Sequence, residues 1–255
     1  FPQNKIVKEI GAPVEKNKVE LPYFMGSMDK IKPDTKALGN WKAKYSGPYV
    51  LSGKLDGISG LYTTDEGEPR LYTRGNGRVG QDISYLIPYL RLPKDEGMAI
   101  RGEIIVSKTT FAEKYADTKA NARNFVAGVV NAKTVDPQQY RDISFVAYDM
   151  IKPEMKPSEQ FATLEKLDIE TVINRSEGDI TNELLSNTLV EWRESYKYET
   201  DGVIVTDDKI YERTDKNPPQ SFAFKMVLSE QVVEAKVVDV LWTASKHGHL
   251  KPRIK

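Results

Sequence analysis

The segment SGKLDGISG, residues 52–60, places a lysine and an aspartate between residues that read as strand. Upstream it continues from YVL and downstream into LYTTD, so two runs rich in Val, Leu, Ile and Tyr flank Lys54-Leu55-Asp56-Gly57. β-Branched and aromatic residues suit a pleated, half-buried surface, and Asp-Gly between two such runs marks a turn. Side chains alternate along a strand, so Lys54 and Asp56 are expected on one face.

The same texture recurs along the chain. EPRLYTRG, MAIRGEIIVS, DISFVAYDM, DGVIVTD and SFAFKMV are further short strand patterns bounded by turn residues. Helical spacing of apolar residues appears in DTKALGNWKAKY, with Asp34 as its N-cap, in DISYLIPYLRL, KTTFAEKYAD, NARNFVAGVVN and SEQFATLEKL, and in TNELLSNTLVEWRESYKY. Consecutive strands with helices appended unevenly predict an α+β fold with a largely antiparallel sheet, in preference to a regular βαβ alternation. Residues 1–30, with Pro2, Pro13 and Pro22, read as an extended lead-in. Residues 31–229 read as the main domain, and residues 230–255, opening with the strand pattern QVVEAKVVDVLW, as the truncated beginning of a second β module. GNGRVG, residues 75–80, matches the G-x-G-x-x-G dinucleotide pattern, but EPRLYTR before it alternates and ends in a charge, where that motif follows a fully buried apolar strand. A glycine-rich turn that needs positive φ describes it better.

Composition narrows the chemistry. Thirty-seven basic residues balance thirty-seven acidic ones, so any phosphate-binding surface must be local. With no cysteine, disulfides, thiolate zinc sites and cysteine nucleophiles are excluded. Two histidines, both in KHGH, leave little for histidine-based catalysis, and as a pair at a turn they read as surface residues before they read as a metal site. No apolar run approaches a membrane span and the start lacks the order of a signal peptide, so the expectation is a soluble protein of the cytoplasm, bacterial or of an infected host, with no membrane partner.

Charged side chains inside apolar strands are the informative feature: Lys54, Arg101, Glu103, Asp201 and Lys225, with Asp56 beside them. One such charge reads most simply as the solvated face of a sheet, whereas several strands carrying one each are expected to feed a shared polar pocket. The glycines of LDG, RGE and TDG suit a backbone close to a ligand or to a neighbouring strand, and glycine at a bulge explains them too. If Lys54 is a nucleophile, its amine must shed a proton held at a pKa near ~10.4 in free lysine. Asp56 and Glu103 would hold that proton, while Lys225, Arg74 or a divalent cation would loosen it. Acids that hold a cation or ribose hydroxyls, together with bases around a phosphate, point to nucleotidyl transfer with magnesium.

In this order K-x-D-G, R-G-E, D-G-V-x-V and the lysine of AFKM resemble motifs I, III, IV and V of the covalent nucleotidyltransferases, the polynucleotide ligases and capping enzymes. TRGNGRVGQDIS, NARNFVAGVVN, MGSMDK and SKHGHLKPRI are similar to segments of the NAD-dependent DNA ligases, the last to the opening of their OB domain. The resemblance runs from Lys18 to Ile254. It implies an antiparallel-sheet, ATP-grasp-like ligase domain that ends in the start of an OB-fold. It also implies that Lys54 attacks the α-phosphate of NAD, becomes a lysyl-AMP, and passes AMP to the 5′-phosphate of nicked double-stranded DNA, with Mg2+. By motif position it places Lys54, Asp56, Lys225 and Arg74 in catalysis and Asp56 and Asp201 on the metal. Ser27, Met28, Ser52, Glu103, Arg123, Tyr148 and Arg193 join Lys54, Arg74, Asp201 and Lys225 around the nucleotide, with Tyr148 stacked on adenine. The N-terminal nicotinamide-binding module and the C-terminal DNA-encircling modules are expected elsewhere in the same chain or on a separate subunit, so the fragment alone is expected to use NAD poorly.

Four positions depart from the family pattern. Ser52 stands where the family has a glutamate facing the adenine amine, Asn76 replaces an aspartate, Asn131 an arginine, and Thr206 the lysine of D-G-V-V-I-K. A threonine hydroxyl supplies no charge, and Lys209 is the nearest candidate to replace it. Such drift is similar to that of phage or viral members of the family. Two other readings share the motifs: an ATP-dependent DNA or RNA ligase, and a catalytically degenerate nucleic-acid-binding subunit.

Overall fold

The computed structural model describes residues 17–33, 35–65, 67–132, 136–226, 236–244 and 249–254. Its chain divides into two compact units, residues 13–226 and residues 1–12 with 227–255. In the larger unit one sheet runs in the order β2 (Asp29–Ile31), β11 (Ser221–Phe224), β10 (Thr200–Asp207), β3 (Tyr49–Leu55) and β9 (Asn174–Glu177). A second runs β5 (Arg70–Thr73), β4 (Ile58–Thr63), β7 (Ala99–Val106) and β8 (Ile143–Lys152). Every pair in both sheets is antiparallel except β11 with β2, which is parallel. The α+β, largely antiparallel expectation therefore holds.

Helices cover each sheet because their apolar residues recur at helical spacing. On α3 (Ala122–Asn131), capped by Asn121, residues Phe125, Val126, Val129 and Val130 are buried against Tyr62, Ile100, Ile104 and Phe145 of the four-stranded sheet. On α6 (Asn182–Ser195), capped by Thr181, Leu185, Leu189 and Trp192 meet Leu51, Val203, Val205 and Phe222 of the five-stranded sheet. Together with α1 (Ala37–Lys42), α2 (Lys108–Lys114), α4 (Pro137–Arg141) and α5 (Pro157–Lys166) these are the α-helices among the described residues. A third cluster joins the sheets: Val50 and Leu55 of β3, Ile105 of β7, Val146 of β8 and Phe161 of α5. Asp34, the expected cap of α1, lies outside the described residues.

One local expectation changes, and the glycine-rich turn expected at GNGRVG is present. DISYLIPYLRL forms only a 3-10 helix, Ser84–Tyr89, because Pro88 lacks the amide that an α-helix would use there. GNGRVG is a tight turn into β6 (Val79–Gln81), which pairs with β1 (Lys18–Glu20), so no helix opens on it. Gly75 has φ +53°, and a Cβ there would lie 1.9 Å from the Val79 carbonyl oxygen. Asn76 Oδ1 accepts from the Arg78 and Val79 amides at 3.0 and 2.8 Å, a turn-closing task that the family's aspartate would perform equally well.

The described part of the smaller unit is one antiparallel hairpin, β12 (Val240–Ala244) with β13 (Leu250–Ile254), on which Trp242 is exposed. His247 of KHGH lies outside the described residues. No helix among the described residues is long and apolar enough to cross a membrane.

Candidate active site

A cavity of about 310 Å³ opens in the larger unit. One wall is the face of β3 and β10 that carries Val50, Ser52, Lys54, Ile204 and Thr206, and the facing wall carries Arg101 and Glu103 of β7 and Tyr148 of β8. The two-residue alternation that sets Lys54 and Ser52 on one face of β3 also brings Ile204 opposite Ser52 and Gly202 opposite Lys54.

At the Lys54 end, Asp201 bridges two ammonium groups. Lys54 Nζ lies 3.0 Å from Asp201 Oδ1, and Lys225 Nζ donates to Asp201 Oδ2 at 2.6 Å. Burial pushes the Asp201 carboxyl up, but the Lys225 hydrogen bond and the Lys54 charge outweigh it and hold it below the usual range. Gly202 lets this meeting happen, since a Cβ there would come within 2.7 Å of the Phe224 carbonyl oxygen. Glu103 accepts from the Gly57 amide at 3.2 Å and from Ser59 Oγ at 3.0 Å. Burial pushes its carboxyl up to about 7, against the Ser59 hydrogen bond, the charges of Lys54 and Arg123, and the Gly57 N–H.

The structure gathers Lys54, Glu103, Asp201 and Lys225, and lines the cavity with Ser27, Met28, Ser52, Arg74, Arg123 and Tyr148 as well. Burial pushes the Tyr148 phenol up, and the Arg101 guanidinium lies 5.7 Å from its ring centroid. Arg74 and Arg101 hold successive carbonyls of the segment that borders the cavity: Arg74 Nε donates to Met25 O at 2.9 Å, and Arg101 Nη2 to Gly26 O at 3.0 Å. Ser27 N donates to Asn217 Oδ1 at 2.9 Å.

Asp56, Arg193 and Asn131 are outside the cavity lining, as are Asp201 and Lys225 beside it. Strand β3 ends at Leu55, so alternation no longer governs Asp56, whose carboxylate pairs with Arg123 Nη1 at 2.7 Å. Arg193 Nε donates to the carbonyl of Thr200, the residue before Asp201, at 3.0 Å. Asn131 sits at the end of α3 with its amide on the Ala127 carbonyl. Lys209 lines the cavity, yet its Nζ is 3.3 Å from Asp207 Oδ2.

The stretch from Lys209 to Gln220, which holds most of ERTDKNPPQSF, residues 212–222, a polar loop on sequence grounds, supplies much of the remaining wall, including Tyr211, Arg213 and Lys216. Arg213 grips Asp149 through two hydrogen bonds of 3.0 and 2.6 Å. Burial pushes the Asp149 carboxyl up, but Arg213 and then Arg101 outweigh it and hold it below the usual carboxylate range. A signal existed in the sequence, Asp149 at the end of an apolar strand, but nothing there named its partner.

The sequence profile of the NAD-dependent DNA ligase adenylation domain matches residues 27–226. A DNA ligase of Acanthamoeba polyphaga mimivirus is 43% identical over 100% of this chain and 41% of its own length. A protein of Invertebrate iridescent virus 6, likewise named as a DNA ligase, is 35% identical over 93% of this chain and 41% of its own length. The chain thus spans about two fifths of these viral relatives. An archaeal ATP-dependent RNA ligase structure superposes with a TM-score of 0.50 at 13% identity, over 81% of this chain and 49% of that one, a likeness of fold. The cavity, the motif order and the profile match converge: this chain belongs to the NAD-dependent DNA ligase adenylation domain family.

Proposed function

We propose that Lys54 attacks the α-phosphorus of NAD, that nicotinamide mononucleotide leaves with the electron pair of the broken P–O bond, and that the resulting lysyl-AMP passes its AMP to the 5′-phosphate at a DNA nick. The observation that carries this reading is the Lys54–Asp201–Lys225 bridge beside the cavity. Two ammonium groups on one carboxylate leave net positive charge where an α-phosphate would sit, which attracts the phosphate. Lys225 is placed to stay on the phosphate while Lys54 becomes covalently bound. Glu103, on the facing wall, is placed to take a ribose hydroxyl, and Tyr148 to lie against the base. Arg74 is read as a positioning residue, acting through the Met25 carbonyl. Arg123 is read near the phosphates, and Arg193 as a support of the β10 start that carries Asp201.

Among the described residues no group of three or more His, Cys, Asp or Glu side chains could hold a metal. Magnesium fits nonetheless in kind, because it is held by one or two carboxylates with water and substrate phosphates, and Asp201 and Asp56 offer oxygen donors. When bound, it would add positive charge that favours the neutral Lys54 amine and the departing phosphate. The hairpin of the smaller unit is read as the opening of an OB module, and nicked duplex DNA as the substrate of the full-length protein.

The test is covalent adduct formation, followed by mass spectrometry of the full-length polypeptide with NAD or with ATP. AMP on Lys54 from NAD, lost in Lys54→Ala together with nick sealing, is expected. An adduct from ATP alone would replace the NAD reading, and a Lys54→Ala protein that seals nicks like its parent would end the proposal.

A further inference from the structure

Away from Lys54 the cavity continues along β3 and β10 to Ser52, Thr206 and Ser221. Same-face residues on a strand are about 6.8 Å apart, so Ser52 lies one such step beyond the reacting amine. In the other direction β3 ends at Leu55, and Asp56 is tied to Arg123, so a nucleotide with its phosphorus at Lys54 extends toward the Ser52 end.

Of the charged side chains lining that end, two are paired and three, Glu154, Glu212 and Lys216, are exposed. Lys209 is paired with Asp207, and Arg213 with Asp149. Ser52 is only 7% exposed and has no side-chain hydrogen-bond partner among the described residues. Ser221 Oγ donates to Thr206 Oγ1 at 3.0 Å, which leaves the Thr206 proton available. On the β3–β10 wall beyond Lys54 the polar side chains that face a base edge are a pair of hydroxyls, each both donor and acceptor. A carboxylate accepts only, and would favour an exocyclic amine over a carbonyl; a hydroxyl rotor serves either.

On the reading of the preceding subsection, we propose that Ser52 and Thr206 read the base through hydroxyls indifferent to an amine or a carbonyl at its six position. The protein then accepts hypoxanthine-bearing as well as adenine-bearing donors. The step is unchanged: the Lys54 Nζ–P bond forms, the P–O bond to nicotinamide mononucleotide breaks with its electron pair, and the amine proton goes to solvent.

The experiment uses the full-length polypeptide, freed of bound nucleotide with nicotinamide mononucleotide, and compares single-turnover adduct rates with NAD and nicotinamide hypoxanthine dinucleotide. ATP and inosine triphosphate are run in parallel, so that the leaving group does not mask base preference. The two bases are expected to react within about fivefold of each other, the spread of a neutral hydrogen bond. Ser52→Glu is expected to raise the ratio of adenine to hypoxanthine rates by about tenfold or more, the effect of a charged acceptor. Should that variant fail to fold, the parent comparison decides alone. An adenine adduct that forms more than about thirtyfold faster than its hypoxanthine counterpart in the parent overturns the inference while leaving the Lys54 reading intact. No adduct from any of the four donors overturns both.

Discussion

Burial opposes the charge of Glu103. It is 6% exposed, and burial lifts its carboxyl from 4.5 to about 7 although Ser59 and the Gly57 amide both donate to it. Between those two values the folded protein holds a proton that the unfolded chain has released. Its contribution to stability is therefore complete below the lower value and is lost as pH rises to about 7. Glu103→Gln keeps the shape and removes the titration. Urea unfolding at about pH 8 should find it more stable than the parent by about 1–3 kcal/mol, with the advantage gone at about pH 4. An equal gain at both pH values would mean that packing, not charge, sets the difference. Lys54, Glu103 and Asp201 stood out in the sequence as charges inside apolar strands, and motif order, not alternation, gave them their expected roles. Alternation does not govern Asp56, since the strand stops one residue before it and its carboxylate meets Arg123, which lines the cavity.

The glycines of the motifs belong to the strands and their turns. A Cβ on Gly57 would lie 2.4 Å from the Ile104 carbonyl oxygen and 2.9 Å from Glu103 Cγ, so the turn after β3 nests on β7 and delivers its amide to Glu103. Of the reasons for those glycines that the sequence left open, the contacts support the neighbouring strand, and the register shifts at Arg101/Gly102 and Thr200/Gly202 support a bulge at two of them. Gly57→Ala must push the two apart: we expect a loss of about 1–3 kcal/mol, seen as a melting midpoint lower by about 2–12 °C, and a slower adduct. An unchanged midpoint would deny the close approach. Helices α3 and α6 were visible in their apolar spacing, whereas the short strands β1, β2, β6 and β9 were not, because three or four residues carry too little period to read. The loop after β10 looked like a polar connection. It gained a role only where Arg213 found Asp149, 64 residues away, and Asn217 found Ser27, 190 away.

Two sheets, each with its own core, close on one another through the cluster that holds Val50, Leu55, Ile105, Val146 and Phe161. Phe161 is 6% exposed and also lines the cavity, so it couples stability to the site. Phe161→Ala should cost about 3–5 kcal/mol in denaturant unfolding and slow Lys54 adduct formation, because the facing walls lose the ring between them. Full stability with a slow adduct would place the ring in binding alone. The strand alternation written along the chain settled which side chains face out of the strands with chemistry to offer, and the motif order named the family, because period and spacing are local properties of the backbone. Which of those groups meet, that Asp201 joins Lys54 to Lys225 while Asp56 pairs with Arg123 and Arg74 holds the Met25 carbonyl, depended on the tertiary fold. Contacts between residues far apart in the chain are selected by packing and charge pairing in three dimensions, and no local pattern encodes them.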